Sequence, residues 1–211
     1  MDFSYIVIEG NIGAGKTSLA TRLSEDTNAK LVLEQFAENP FLPKFYEEPD
    51  RYAFPVELTF LADRYQQLKK EINPRDLFHT RMISDYYFVK SLIFSRKTLK
   101  DDEYYLYKRL FEIIQQQLPR PDIYVYLHVE PVRLLENIRK RGRSYETNIT
   151  RQYLEEIQKS YFDFIKSHPE MTFLVIDMNH LDFMERENDY IKIKNAILER
   201  NYEPGMNMVI L

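Results

Sequence analysis

The chain has 211 residues, of which 44% are hydrophobic, and this length suits one sizeable core better than two, so we expect a single domain. Its 29 Lys and Arg residues against 33 Asp and Glu residues give a net charge of −4, which argues against a general attraction to nucleic acid or to an anionic membrane. The absence of cysteine excludes disulfides and thiolate metal sites, and no apolar run approaches the roughly eighteen residues of a membrane span.

A signal peptide is not expected in the first residues, because Asp2 and Glu9 interrupt the apolar stretch. We therefore expect a cytoplasmic protein. Sixteen Tyr and fourteen Phe in a chain without Trp are typical of a core filled with rings, and a site for a flat aromatic ligand is the alternative.

Predicted strands and helices alternate along the chain. FSYIVI (3–8) is a β-branched and aromatic run that ends at a glycine turn and leads into a helix through Leu19 and Leu23. Further strands are predicted at 30–34, near LFHTRMI, and at 123–130 and 172–177. Helices are predicted at 53–72, 82–96, 103–117, 131–141, 150–167 and 184–199. The alternation predicts an α/β fold, a five-stranded parallel sheet flanked by helices, with the ligand at the carboxyl ends of the strands.

Two details accompany this pattern. Thr150 is predicted to be the N-cap of the helix at 150–167. The pattern assigns no structure to the tail after Pro204, GMNMVIL.

GNIGAGKT (10–17) satisfies the phosphate-loop pattern GxxxxGK[ST], with a strand before it and a helix after it. Backbone N–H groups of such a loop surround a β-phosphate, Lys16 reaches the β- and γ-phosphates, and the Thr17 hydroxyl binds Mg²⁺. An ordinary glycine-rich turn is the alternative. The motif predicts a triphosphate site, for ATP, at Gly10, Asn11, Ile12, Gly13, Ala14, Gly15, Lys16, Thr17 and Ser18.

Motifs elsewhere in the chain indicate which class of triphosphate-binding protein this is. No glycine has Asp three positions before it and no NKxD motif occurs, which argues against a signalling GTPase. Acids at the ends of predicted strands, the usual mark of a motor ATPase, occur at Glu34, Glu130 and Asp177 and discriminate poorly.

IRKRGRSYE (138–146) concentrates cations around Gly142, at the end of a predicted helix. We predict a lid over about 138–148 whose Arg139, Arg141 and Arg143 close over the phosphates, with Arg141 acting on the transferred group. Neutralising that charge and excluding water favours transfer to an acceptor over hydrolysis. A solvated basic helix end, stabilised by the helix dipole, is the alternative.

These motifs, together with LEQFAENPF, FYEEPDRYAF and IDMNHLDF, resemble the deoxynucleoside kinases nearly end to end. The resemblance implies a P-loop kinase fold and Mg²⁺-dependent transfer of the γ-phosphoryl group of ATP to the 5′-hydroxyl of a deoxyribonucleoside. It also implies a homodimer, for which the aromatic-rich helices 53–72 and 103–117 offer a face.

The resemblance further assigns roles to single residues. Glu34 is implied as the general base and, with Thr17, as a Mg²⁺ ligand. Arg64 is implied as the arginine that reads the base edge, with Asp85 as its acidic partner, a pair associated with purine acceptance. The remaining contacts are Tyr46 and Glu146 to the sugar 3′-hydroxyl, and Asp182 and Phe183 to the donor base.

Glu57 is a departure from the family, which usually carries a glutamine here. A carboxylate only accepts hydrogen bonds, whereas an amide both donates and accepts. Guanine presents two adjacent donors, N1–H and N2–H, and adenine or cytosine presents one donor beside an acceptor. Glu57 therefore predicts a preference for deoxyguanosine.

A second departure concerns the family motif [DE]R[ST], which supplies an arginine near the 5′-hydroxyl and an acid near Mg²⁺. Counting back from Asp85 places His79, Thr80 and Arg81 there. Arg81 becomes the catalytic candidate after a one-residue shift, although a strand would direct it to the opposite face. Two alternatives stay open: a nucleoside monophosphate kinase of the thymidylate type, and a nucleotide-binding regulatory subunit with weak or no turnover.

Overall fold

Six parallel strands form the centre of the computed structural model, which describes residues 3–35, 39–71, 80–143 and 146–211. In chain order they are β1 (Tyr5–Gly10), β2 (Lys30–Val32), β3 (Met82–Ser84), β4 (Ile123–His128), β5 (Thr172–Asp177) and β6 (Gly205–Ile210). Across the sheet the order is β2-β3-β1-β4-β5-β6. Because all pairs are parallel, the carboxyl ends of the strands meet at one edge, where α/β proteins bind ligands.

Helices cover both faces of this sheet. Those in the described part of the chain are α1 (Lys16–Thr27), α2 (Leu42–Glu47), α3 (Pro49–Glu71), α4 (Lys90–Thr98), α5 (Asp101–Gln115), α6 (Pro131–Arg141), α7 (Arg151–Ser167) and α8 (Glu187–Leu198). The predicted N-cap of α7 is confirmed, since the Thr150 hydroxyl accepts a hydrogen bond from the Tyr153 N–H. No helix among these is long and apolar enough to cross a membrane.

The α/β class is confirmed, but the prediction of five strands is wrong because the C-terminal tail forms β6. It pairs with β5 from Thr172↔Gly205 to Asp177↔Ile210. Its side chains alternate between exposed and half-buried, and among the described residues it pairs with one neighbouring strand only. An edge strand of this kind lacks the continuous apolar run that identifies the central strands.

One helix boundary and one short helix also differ from the predictions. The predicted helix at 82–96 begins too early, because Met82–Ser84 form β3 and α4 begins only at Lys90. The short α2 was not predicted at all. It has six residues, none of them buried, and so it carries no apolar periodicity.

Side chains of the central strands alternate between two cores, one on each face of the sheet. On β4, Val125 and Leu127 join the core beneath α1, α6 and α8, whereas Tyr124 and Tyr126 join the core beneath α3, α4, α5 and α7. The second core is rich in aromatic rings. Tyr124 packs edge to face against Phe173, with the two ring centroids 5.3 Å apart. In the described part of the chain, fourteen Tyr and Phe side chains are buried in the two cores, and a smaller group lines the site described next.

Candidate active site

The phosphate loop occupies the turn between β1 and α1, at the carboxyl edge of the sheet. Gly13 has φ +82°, and a Cβ there would lie 2.9 Å from the Leu134 carbonyl oxygen. Gly15 has φ +87°, and its Cβ would meet the Phe183 ring at 3.1 Å. Both positions require glycine for backbone conformation and for space. The loop is thereby held tightly against α6 and against the segment after β5, with the N-terminus of α1 facing it.

Lys16 and Asn11 shape this loop from within. The Lys16 ammonium donates to the carbonyl oxygens of Gly10 and Asn11, both at 2.9 Å. Burial lowers its pKa to about 8, helped by the charge of Lys90, while nearby carboxylates oppose the shift. The Asn11 side chain is buried and donates to the Leu154 carbonyl at 2.7 Å, so it fixes the loop on α7. Lys16, Thr17 and Ser18 line the phosphate cleft together with Gly13, Ala14 and Gly15.

Asp85 lies beside Thr17, and the prediction that it is the acidic partner of Arg64 is wrong. The Thr17 hydroxyl donates to Asp85 Oδ2 at 2.5 Å, and the Glu34 backbone N–H donates to Oδ1 at 2.7 Å. Asp85 directly follows β3, and this position directs its carboxylate towards the phosphate loop.

A hydroxyl and a carboxylate at the mouth of a phosphate loop are the few ligands that Mg²⁺ takes from a protein when phosphate and water supply the others. Thr17 and Asp85 therefore fit a magnesium site. Glu34, predicted as a second ligand, is instead occupied on both carboxylate oxygens by cations.

Glu34 follows β2 and is held between two cations, with its side chain 10% exposed. Arg64 donates from Nε at 2.8 Å and from Nη2 at 2.6 Å to Oε1, and Lys90 Nζ lies 2.5 Å from Oε2. Burial opposes ionisation of this carboxyl, but the two cations outweigh it and hold its pKa at about 2. Glu34 is thus ionised at any physiological pH, and its position is fixed.

A second cavity adjoins the phosphate loop, and Glu34 and Glu57 both line it. Glu57 lies on α3, two helical turns before Arg64. Thr98 donates to its Oε1 at 2.7 Å, whereas Oε2 is buried and has no hydrogen-bond partner in the described part of the chain. Burial raises the pKa of Glu57 to about 7. Arg64 also donates to the Ser91 hydroxyl at 2.7 Å. Rings form the walls of this cavity: Phe45, Tyr46, Phe60, Phe94 and Tyr153.

The arginines of the predicted lid lie where phosphate cleft and cavity meet. Arg141 Nη2 lies 2.6 Å from Glu146 Oε2, and Arg143 Nη1 lies 3.3 Å from Oε1. Glu146 is buried and borders the same cavity as Tyr46. The structure thus brings both arginines to the site.

Arg139 borders neither the phosphate cleft nor the cavity beside Glu57. It lines a surface cavity together with Arg143 and Glu146, and its contact with the phosphates stays a prediction. The face of α6 that borders the phosphate cleft carries Arg133, Asn137 and Lys140, at a spacing of four and three residues. Asn137 donates to the Gly13 carbonyl at 2.9 Å.

The segment after β5 borders the phosphate cleft. Phe183 is buried against Gly15, and its carbonyl accepts a hydrogen bond from Arg22 at 2.8 Å. The Asp182 backbone N–H donates to Asp189 at 2.8 Å, which fixes the segment on α8. Both Asp182 and Phe183 line the cleft.

Arg81 lies away from the site, and its prediction as a catalytic residue is wrong. It precedes β3, and the following residue, Met82, pairs with Tyr5 at the start of β1, so it lies at the opposite end of the strands from the phosphate loop. Its Nε donates to the Phe3 carbonyl at 2.9 Å. Counting residues back from Asp85 therefore gave Arg81 the wrong position. Thr80 directly precedes Arg81 in the chain. His79 lies outside the described residues.

Sequence reasoning did not identify three other side chains of the site. Lys90 and Ser91 open α4 and contact Glu34 and Arg64, and Thr98 ends α4 and contacts Glu57. The only signal in the sequence was a lysine between apolar residues in YYFVKSLIF, at a position that the structure buries.

Comparisons with known proteins agree with this architecture. A family model of deoxynucleoside kinases matches residues 6–201. Deoxyguanosine kinase from Bacillus subtilis is 35% identical over 202 residues, which cover 92% of this chain and 96% of that protein. Deoxyadenosine kinase from Dictyostelium discoideum is 30% identical over 188 residues, which cover 89% of this chain and 76% of that protein. A structure of deoxyadenosine kinase from M. mycoides with bound dATP matches with a TM-score of 0.78 at 26% identity, covering 92% of this chain and 98% of that one.

Proposed function

The chain belongs to the deoxynucleoside kinase family, and we propose that it transfers the γ-phosphoryl group of ATP to the 5′-hydroxyl of deoxyguanosine in preference to other deoxyribonucleosides. The observation that carries the guanine preference is the buried Glu57 carboxyl, whose Oε2 lacks a partner among the described residues in a cavity walled by rings. A flat base fits between such walls, and an unpaired buried acceptor requires a donor from the ligand.

The pairing edge of guanine matches this carboxylate. N1–H and N2–H are adjacent donors that one carboxylate receives together, and such bidentate hydrogen bonds to a charged group are strong and directional. Adenine and cytosine each place an acceptor beside their donor, so one oxygen of ionised Glu57 would face a lone pair. The Thr98 hydroxyl already holds Oε1 in place, which orients the carboxylate towards the base.

Transfer requires proton acceptance, orientation and charge neutralisation. Glu34 accepts the 5′-hydroxyl proton as that oxygen attacks the γ-phosphorus, and because the transition state is loose, its fixed position matters more than its basicity. Lys16 neutralises the β- and γ-phosphates, and Arg141 and Arg143 close over the transferred group. Thr17 and Asp85 would hold Mg²⁺, which supplies further neutralisation of the phosphate oxygens when bound.

The remaining ligand contacts follow the same geometry. We assign Tyr46 and Glu146 to the sugar 3′-hydroxyl, since both border the cavity near Arg141. Asp182 and Phe183, which line the phosphate cleft, are assigned to the donor base.

The assembly and the location of the enzyme are also proposals, namely a homodimer in the cytoplasm. Exposed apolar side chains on α3 and α5 support the dimer: Leu58 on the first helix and Tyr105, Leu106 and Ile113 on the second.

The reaction itself is tested by identifying its products. Purified protein with ATP and Mg²⁺ is incubated with deoxyguanosine in one reaction and with dGMP in another, and both mixtures are resolved by mass spectrometry. We expect dGMP and ADP from the first reaction and no dGDP from the second. Phosphorylation of the monophosphate alone would identify a monophosphate kinase. Binding of ATP and nucleoside without product would identify a regulatory subunit.

A further inference from the structure

Lys90 is a buried cation that the predicted chemistry leaves without a task. It is the first residue of α4, its side chain is 10% exposed, and its ammonium lies 2.5 Å from Glu34 Oε2. Burying a lysine costs free energy unless a partner compensates. Arg64, with two hydrogen bonds to Oε1, already neutralises that carboxylate. Lys90 therefore brings a second positive charge to the Glu34 carboxylate, which a single cation already neutralises.

Lys90 lines a cavity that residues of the proposed base site and of the phosphate loop share. It borders the same cavity as Glu57, Thr17 and Lys16. Both ammonium groups, of Lys90 and of Lys16, line this one cavity, and Glu34 lines it with them. Two cations held near each other in a buried site are stabilised when an anion binds between them. A transferring phosphoryl group is the anion that the neighbouring phosphate loop supplies.

Arg81, which the sequence predicted as the catalytic cation near the 5′-hydroxyl, lies at the far end of β3 and cannot contact the transferred group. We propose that Lys90 is a catalytic cation of this enzyme, whose ammonium contacts the 5′-oxygen and the transferred phosphoryl group while it keeps Glu34 aligned. The proposal rests on the proposed kinase function. The bond between the 5′-oxygen and the γ-phosphorus forms, the bond from the γ-phosphorus to the β,γ-bridging oxygen breaks, and the 5′-proton passes to Glu34. ADP leaves, and Lys90 stays protonated throughout.

Three substitutions of Lys90 separate the charge from the packing. Lys90→Met removes the charge and keeps the length, Lys90→Gln can still hydrogen-bond to Glu34, and Lys90→Arg keeps the charge. Lys97→Met is the matched control, because Lys97 lies on the same helix and its ion pair with Glu156 is partly exposed and long, at 3.9 Å. For each protein kcat, KM for both substrates, ADP affinity and thermal stability are measured.

We expect Lys90→Met and Lys90→Gln to lower kcat by about 10²- to 10³-fold, the usual cost of removing one group that stabilises transition-state charge. KM values and ADP affinity should stay within about threefold, since the contact forms in the transition state. Lys90→Arg should recover part of kcat, and Lys97→Met should behave as wild type. Should Lys90→Met not fold, Lys90→Gln decides the question.

A folded Lys90→Gln enzyme with kcat within about threefold of wild type would overturn the proposal, as would a loss confined to KM. Either result would reduce Lys90 to a structural partner of Glu34. The comparison uses whichever deoxyribonucleoside the wild-type enzyme phosphorylates fastest. A wild-type enzyme without any product would contradict the proposed function instead, so the two failures are distinct.

Discussion

Replacing Glu34 by Gln is expected to lower kcat by about 10²- to 10⁴-fold, the range that a positioned general base contributes. The amide keeps the shape of the carboxylate but cannot accept the 5′-hydroxyl proton. The substitution also leaves Arg64 and Lys90 without their anion, and breaking a buried ion pair costs about 3–5 kcal/mol. Steady-state kinetics must therefore be paired with thermal denaturation, and kcat expressed per folded enzyme.

Glu155→Gln is the matched control, because Glu155 pairs with Arg151 on the exposed face of α7. It should change neither kcat nor stability noticeably. A folded Glu34→Gln enzyme that keeps kcat within about tenfold of wild type would exclude the general-base role.

The pH dependence of stability offers a second view of Glu34. Its pKa in the folded protein is about 2, below the ordinary carboxyl value, so the ion pairs stabilise the fold at pH values above about 4.5. That contribution is lost as the pH falls from about 4.5 towards 2, and it should be missing from Glu34→Gln. The activity of wild type between pH 5 and 9 should show no ionisation from Glu34.

Glu57→Gln is expected to move the ratio of kcat/KM for deoxyguanosine over deoxyadenosine towards adenine by about 10- to 10²-fold. A good bidentate contact to a base contributes about 1–3 kcal/mol of discrimination, which corresponds to this range. The glutamine amide offers one donor and one acceptor, matching adenine, and it loses one of the two bonds to guanine. An unchanged ratio in the folded variant would show that Glu57 does not read the base.

The acidity of Glu57 makes this selectivity pH-dependent. Its pKa in the folded protein is about 7, so below that pH the carboxyl carries a proton and can accept only one guanine donor. The kcat/KM for deoxyguanosine should fall as the pH drops from 8 to 6, while that for deoxyadenosine should hold or rise. The trend should vanish in Glu57→Gln.

Stability provides the control for this variant. Because burial raises the pKa of Glu57 in the folded state, its ionisation destabilises the fold as pH rises from about 4.5 to 7. Glu57→Gln should therefore be at least as stable as wild type at pH 8, and a loss of deoxyguanosine activity there cannot be attributed to unfolding.

The parts of the site that sequence could predict are those encoded locally. GNIGAGKT specifies its own turn, since Gly13 and Gly15 need positive φ and Lys16 must follow them. Glu34 and the arginines on either side of Gly142 lie at element ends, where periodicity gives their position along the chain. These predictions need no knowledge of how distant segments pack.

The errors arose where packing between distant segments decides. Asp85 could not be placed by counting, because the length of β3 determines whether the side chain reaches Thr17 or Arg64. Lys90 was missed because nothing in its neighbourhood along the chain announces its pairing with Glu34, 56 residues earlier. Strand β6 was missed because an exposed edge strand is specified by its pairing with β5 more than by its own composition.

The central claim is that this kinase selects guanine through Glu57, and the most direct measurement is kcat/KM for the four deoxyribonucleosides with ATP and Mg²⁺ at pH 8. At that pH Glu57 is mostly ionised. We expect deoxyguanosine to be the best acceptor, followed by deoxyadenosine, with both pyrimidine nucleosides slower. Faster phosphorylation of thymidine or deoxycytidine than of deoxyguanosine would contradict it.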